Sequence, residues 1–150
     1  MNIAFLLTPK ISVSCLYDDC TVRQGLEKMK AHSYTSIPVI TRENKYAGAV
    51  SEGDFLWYLV RQYGAKPLNI GDTDKDLVKD ILQPDRNPPV KITESVDVLI
   101  RRAANQNFVP VVDDLGNFIG IVTRKDIIKC LYEEREKTRA MELTAVWSAL

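Results

Sequence analysis

Short apolar runs alternate with helically spaced apolar positions along this chain, and the alternation happens twice. Residues 12–17 are β-rich and short, and Thr21 then opens a stretch to about His32 in which Leu26 and Met29 share one face. That spacing behind a hydroxyl residue predicts a capped helix. Residues 36–41 predict a buried strand, 42–44 are polar turn material, and 46–50 form the returning arm of a hairpin. A second helix is expected from about Glu52, carrying Phe55, Leu56, Leu59 and Val60.

The second half follows the same order. Residues 90–92 predict a short strand and 95–106 a helix with Val98, Leu99 and Ala103 inward. A hairpin is expected from 109–112 and 118–122 across Asp113-Asp114-Leu115-Gly116-Asn117. A longer helix should start near Lys125, with Ile127, Ile128, Leu131 and Tyr132. Between the halves, 62–76 reads as a connecting loop with Gly64, Pro67 and Gly71, followed by a short helix over 77–82. Beyond a charged stretch at 133–137, Met141, Leu143, Val146, Trp147 and Leu150 form an apolar stripe, docked on its own domain or on another subunit.

The two halves are copies. Pro38 and Pro110, Gly48 and Gly120, Ser51 and Thr123, and Asp54 and Asp126 all share one frame, 72 positions apart. Four matches in one frame indicate a duplicated supersecondary unit. The first helices align only with a shift of 74, so the second copy lacks two residues before its central strand, and a loop is expected to absorb the loss. Each unit reads strand–helix–strand–strand–helix, with a sheet too small to bury itself, so the halves should pair through their sheets. The expected fold class is α+β, with domains at 8–63 and 77–135, a connector at 64–76 and a C-terminal helical extension at 136–150.

Charge and cysteine content narrow the function classes. Lysine plus arginine equals aspartate plus glutamate at 20 each, which argues against a nucleic-acid binder with a broad basic surface. Three cysteines without CxxC spacing, beside a single histidine, read as reduced thiols of a cytoplasmic protein. No basic leader precedes the first apolar run, and no stretch approaches the ~18 apolar residues of a membrane helix. His32 reads as a surface cation at a helix end, and Trp57 as a core or interface residue. No nucleophile motif, metal cluster or Walker-type loop is visible, so no enzyme activity is expected.

The chemistry concentrates in Ser51-x-x-Asp54 and Thr123-x-x-Asp126. One reading is structural: a hydroxyl and an acid three residues apart make a helix cap. The other uses the same geometry. Helix N-termini present N–H groups to anions, and a carboxylate there can accept two hydrogen bonds from a ribose diol. The intervening residues differ, Arg124 and Lys125 in the second copy against Glu52 and Gly53 in the first. Cations oppose the dipole at a helix N-terminus, so either they are ordinary surface charge or an anion lies nearby. On the second reading, a phosphorylated ligand prefers the second turn.

With the Ile-Pro-Val and Val-Pro-Val strands, the Gly-hydrophobic-Val-Ser/Thr-x-x-Asp turns and the Leu-Val-Lys-Asp-Ile-Leu entry to the second half, the chain resembles a tandem CBS-domain pair, the Bateman module, over about 8–135. The resemblance implies two βαββα units related by a pseudo-two-fold axis and commonly paired into a homodimeric disc. It also implies binding of an adenosine-containing ligand: AMP, ADP, ATP, S-adenosylmethionine or a cyclic dinucleotide. By match, Asp54 and Asp126 would hold ribose hydroxyls, and Ser51 and Thr123 ribose or phosphate. Members that grip phosphates tightly often carry basic residues before the central-strand proline; here Thr35 and Ser36, and Asn107 and Phe108, stand there. Asn87, Pro88 and Pro89 could line an adenine pocket. The implied function is a stand-alone regulatory module that signals nucleotide occupancy to an effector protein, with no cofactor required. A ligand-free dimerisation scaffold is the alternative.

Overall fold

The structure, a computed structural model, describes residues 2–83 and 85–150. The first unit comprises β2 (Leu16–Tyr17), α2 (Val22–His32), β3 (Ser36–Ile40), β4 (Tyr46–Ser51) and α3 (Glu52–Tyr63). The second comprises β5 (Val90–Lys91), α4 (Val96–Ala103), β6 (Phe108–Val112), β7 (Phe118–Thr123) and α5 (Arg124–Ala149). Ahead of both lie a short helix α1 (Ile3–Leu6) and a two-residue strand β1 (Thr8–Pro9). In each unit the opening strand pairs parallel with the central one, which pairs antiparallel with the third. The α+β duplication expected from the sequence is the observed fold.

Local chemistry explains the element ends. Thr21 Oγ1 accepts from the Gln24 N–H at 3.1 Å while Gln24 Oε1 accepts from the Thr21 N–H at 3.0 Å, a reciprocal cap that starts α2. Ser33 closes that helix in the left-handed region, at φ 53°. Helix α4 is shorter than the sequence pattern suggests. The two residues missing from the second copy come out of its last turn, not out of the following loop. Asn105 donates back to the Arg102 carbonyl, and buried Gln106 is held by the Pro88 and Phe108 carbonyls at 3.4 Å each. The helix expected over 77–82 is one 3-10 turn, Val78–Asp80. The connector is not wholly irregular, since Ile70–Lys75 forms a 3-10 segment capped by Asn69.

Each unit has its own core, and the lead-in to each unit packs into the other one. Ile3, Leu6 and Leu7 pack with Val90, Leu99, Val109, Val111, Val122 and Ile127 of the second unit. Val78, Ile81 and Leu82 pack with Leu16, Val22, Ile37, Val39 and Phe55 of the first. Strand β1 likewise crosses over, pairing antiparallel with β7 so that the second sheet runs β1-β7-β6-β5. Residues on opposite faces of a strand alternate. Val109 and Val111 face the helices, whereas Phe108, Pro110 and Val112 on the other face are buried too. The other unit's sheet covers that second face. Tyr46 and Phe118 stack across the boundary with ring centroids 6.2 Å apart, and the Phe118 N–H donates to the Asn44 carbonyl.

Helix α5 runs on well past the core. From Leu131 to the C-terminus every residue is exposed, so the apolar stripe at 141–150 does not dock on its own domain. Among the described residues no helix is long and apolar enough to cross a membrane.

Candidate functional site

Both strand-to-helix turns are built alike. At the first, Ser51 Oγ accepts from the Asp54 N–H at 3.2 Å and Asp54 Oδ2 accepts from the Ser51 N–H at 2.8 Å. At the second, Thr123 Oγ1 accepts from the Asp126 N–H at 3.1 Å and donates to Asp126 Oδ2 at 2.7 Å. The capping reading is therefore correct at both turns, and any ligand role is added to it. Thr35 and Asn107 occupy equivalent places: the Thr35 carbonyl accepts from the Glu52 N–H and the Asn107 carbonyl from the Arg124 N–H. Ser36 pairs in register with Ser51, and Phe108 with Thr123. The residues before each central-strand proline thus stand beside the turn of their own copy, with the Thr35 and Asn107 side chains exposed.

The turns differ in how their carboxylates are used. Asp54 is buried, and Arg86, from the stretch that continues the connector past Val78–Asp80 into β5, pairs with its Oδ1 and reaches Ser51 Oγ at 3.5 Å. No cation lies between Ser51 and Asp54 in sequence, and the one that reaches this turn comes from elsewhere in the chain. Arg86 lies 32 positions beyond Asp54, outside any local motif. Asp126 is half-buried and, among the described residues, has no cation on its carboxylate.

The two cations of the second turn also separate. Arg124 Nε donates to the carbonyl of Ala103 at 2.8 Å, the last residue of α4, where a cation complements the helix dipole. That contact supplies a structural reason for Arg124. Lys125 is exposed. Lys10, on the 3-10 turn after β1, donates from Nζ to Asn44 Oδ1 at the start of β7, the end away from Thr123.

The crossed lead-ins flank these turns. At the second, β1 pairs Thr8 with Ile121 and Pro9 with Gly120, along the strand that ends at Thr123. At the first, the connector runs beside β4, where Tyr46, Gly48, Leu82, Arg86, Pro88 and Pro89 line a cleft of about 360 Å³. Tyr46 donates its hydroxyl proton to the Asn87 carbonyl at 2.7 Å, fixing the connector there. Asn87, Pro88 and Pro89 thus belong to the first turn's surroundings, joined to Asp54 through Arg86. Asp126 borders a wider cleft of about 650 Å³ between α1 and α5, with Phe5, Leu6, Lys129, Lys137, Glu133 and Glu134 on its walls.

Other polar groups stand apart from both turns. His32 is exposed at the end of α2, stacked on Tyr34, as a surface residue. Burial pushes the Cys15 thiol up to about 11, so it is protonated at neutral pH and is a poor nucleophile. Among the described residues no group of three or more His, Cys, Asp or Glu side chains could hold a metal ion.

The CBS-domain family profile matches residues 8–61 and 78–133. The chain belongs to the CBS-domain family. It is 30% identical over 122 residues to the A-adding tRNA nucleotidyltransferase of Aquifex aeolicus, covering 81% of this chain but 14% of that protein. It is also 30% identical over 112 residues to inosine-5'-monophosphate dehydrogenase of Methanocaldococcus jannaschii, covering 74% of this chain and 20% of the enzyme. The chain therefore spans only a small part of these curated relatives. Among solved structures, the protein CbpB in complex with c-di-AMP superposes with a TM-score of 0.81 at 20% identity, over 94% of this chain and 91% of that one. CBSX2 in complex with AMP gives a TM-score of 0.70 at 22% identity, over 89% and 98%. At these identities the structural likeness bears on the fold. A CBS pair is what the duplicated turns and crossed lead-ins build.

Proposed function

We propose that this CBS pair is a regulatory module that binds an adenosine-containing ligand and passes its occupancy to an effector protein. The observation that carries the reading is the open carboxylate of Asp126 at the N-terminus of α5, beside a hydroxyl already oriented by the cap. One Asp126 oxygen is engaged by Thr123, which leaves the other to accept from a ribose diol. Lys125 and Asn107, exposed beside the same turn, and Arg124 complete the proposed site. Ser51 and Asp54 form the equivalent turn, with Thr35, Ser36, Asn87 and Pro89 around it. There Arg86 already neutralises the carboxylate, so the first ligand goes to the second turn. That preference now rests on carboxylate availability, not on the charges between the motif residues. CbpB and CBSX2, which share the fold, were solved with c-di-AMP and AMP. Both ligands carry adenosine, and this supports the same ligand class here.

The partner surface follows from the repeat. Leu56 and Ile128, Leu59 and Leu131, and Val60 and Tyr132 are equivalent pairs 72 positions apart on α3 and α5. Of these only Leu59 is half-buried; the others are exposed, and so is Trp57, which therefore is not a core residue. Matching apolar faces on two equivalent helices suit a second copy of the chain, related by the closed symmetry typical of homo-oligomers. Analytical ultracentrifugation should show a homodimer, and Leu56→Asp with Ile128→Asp should give a folded monomer. A dimer that survives both changes would remove this face from the account. The exposed end of α5 is then available to the effector.

The exposed faces also favour one other reading, a dimerisation scaffold without a ligand. Thermal unfolding with AMP, ATP, S-adenosylmethionine and c-di-AMP separates the two. A ligand at 100 times its dissociation constant stabilises by about 2.7 kcal/mol, about 5–10 °C for a domain this size. A flat response across the panel would leave the scaffold.

A further inference from the structure

We propose that the cleft between the connector and α4 is a phosphate site, and that Arg86 is the arm that moves between Asp54 and the bound phosphate. The cleft has a volume of about 570 Å³ and is lined by Arg86, Arg101, Arg102, Asn105, Gln106 and Asn87, with Asp85 its one acidic wall residue. Three arginines against one carboxylate give it a net positive lining. A guanidinium presents a planar fork of donors matched to phosphate oxygens.

These arginines are only partly used within the chain. Arg102 Nε is buried and has no hydrogen-bond partner among the described residues. A buried donor without a partner is unfavourable, and an anion in the cleft supplies one. Arg101 is exposed at the rim. Arg86 sits between two residues in the left-handed region, Asp85 at φ 61° and Asn87 at φ 50°. The connector turns sharply on both sides of it, and its side chain lines both this cleft and the smaller one beside β4.

The pairing of Arg86 with Asp54 gives the device its logic. In the structure Arg86 occupies the carboxylate that would otherwise accept ribose hydroxyls. A phosphate in the arginine cleft offers Arg86 a second anion, with up to two negative charges. Turning Arg86 toward it frees Asp54 at the same moment. Once the second turn is filled, a phosphorylated nucleoside gains twice at the first, through its phosphate on the arginines and its ribose on Asp54, whereas a bare nucleoside must displace Arg86 without compensation. The ribose half of this statement rests on the proposed function; the phosphate half does not.

Calorimetric titration with inorganic pyrophosphate tests the phosphate half alone. The wild-type protein should bind it, and Arg101→Gln, at an exposed position, should weaken binding at least 5-fold without changing the melting temperature. Asp54→Asn removes the competing anion and should tighten pyrophosphate binding at least 3-fold. No binding to the wild type, or equal binding to wild type and Arg101→Gln, would overturn the phosphate site. Weaker binding to Asp54→Asn would overturn the Arg86 exchange, because a purely structural pair predicts that direction. Titration with AMP and adenosine then reads the ribose half. If pyrophosphate behaves as stated while neither adenosine compound binds, the cleft stands and the adenosine reading falls.

Discussion

Gly120→Ala should destabilise the protein by about 2–4 kcal/mol, lowering its melting temperature by roughly 5–15 °C. Gly48→Ala, its counterpart in the first copy, should cost about half as much. Both glycines have positive φ, 156° and 148°, which an alanine tolerates poorly. The space around them differs. A Cβ on Gly120 would run into the Thr8 carbonyl oxygen and would lie 3.1 Å from the Pro9 Cα, both backbone atoms of β1. A Cβ on Gly48 would meet only the end of the Leu82 side chain, at 3.2 Å, which can rotate away. Differential scanning calorimetry of the two variants reads the contrast. Equal losses would mean that β1 does not lie tightly against β7, and the crossing of the first unit's lead-in onto the second sheet would be wrong.

Asp126→Ala is the variant with the largest expected effect on binding. Hydrogen bonds to a charged group contribute about 1.5–3 kcal/mol each, so losing the ribose acceptor should weaken an adenosine ligand at least 10-fold. Asp54→Ala should change the tighter binding event less than 3-fold, because Arg86 already occupies that carboxylate. Asp126 also accepts from Thr123 within the cap, so Asp126→Asn serves as the control. Its amide oxygen can still accept from Thr123, while the negative charge offered to the ribose is gone. Isothermal titration with the ligand giving the largest thermal shift measures all three. A loss confined to Asp54→Ala would reverse the order of the two turns.

The repeat makes much of this architecture legible in the sequence. Strand–hairpin–helix order follows from apolar runs bounded by turn residues, and Thr21, Ser51 and Thr123 announce the helices they cap. These are local signals, and each is strong in its own short window. What escaped is non-local. Strand β1 is two residues long and ends in proline, too short to alternate, and it forms only because β7 lies beside it. Ile3 and Val78 read as ordinary apolar residues, yet each crosses from the unit it precedes into the core of the opposite one. Arg86 could not be tied to Asp54 from spacing, since the contact depends on the path of the connector through Asp85 and Asn87. Arg124 shows the reverse error. Its place in the motif suggested an anion, while its guanidinium reaches the end of α4. The only signal for Arg86 is a lone arginine in the Pro-rich stretch that leads into β5.

The central claim is that a carboxylate at a capped helix start grips a ribose. It is tested most directly by removing one hydroxyl from the ligand and leaving the protein intact. Calorimetry should compare the best-binding adenosine compound with its 2′-deoxy counterpart on the wild-type chain. Loss of one hydrogen bond to an ionised acceptor predicts binding at least 10-fold weaker for the deoxy compound. Equal affinity for the two would contradict the account, leaving Asp54 and Asp126 as helix caps and nothing more.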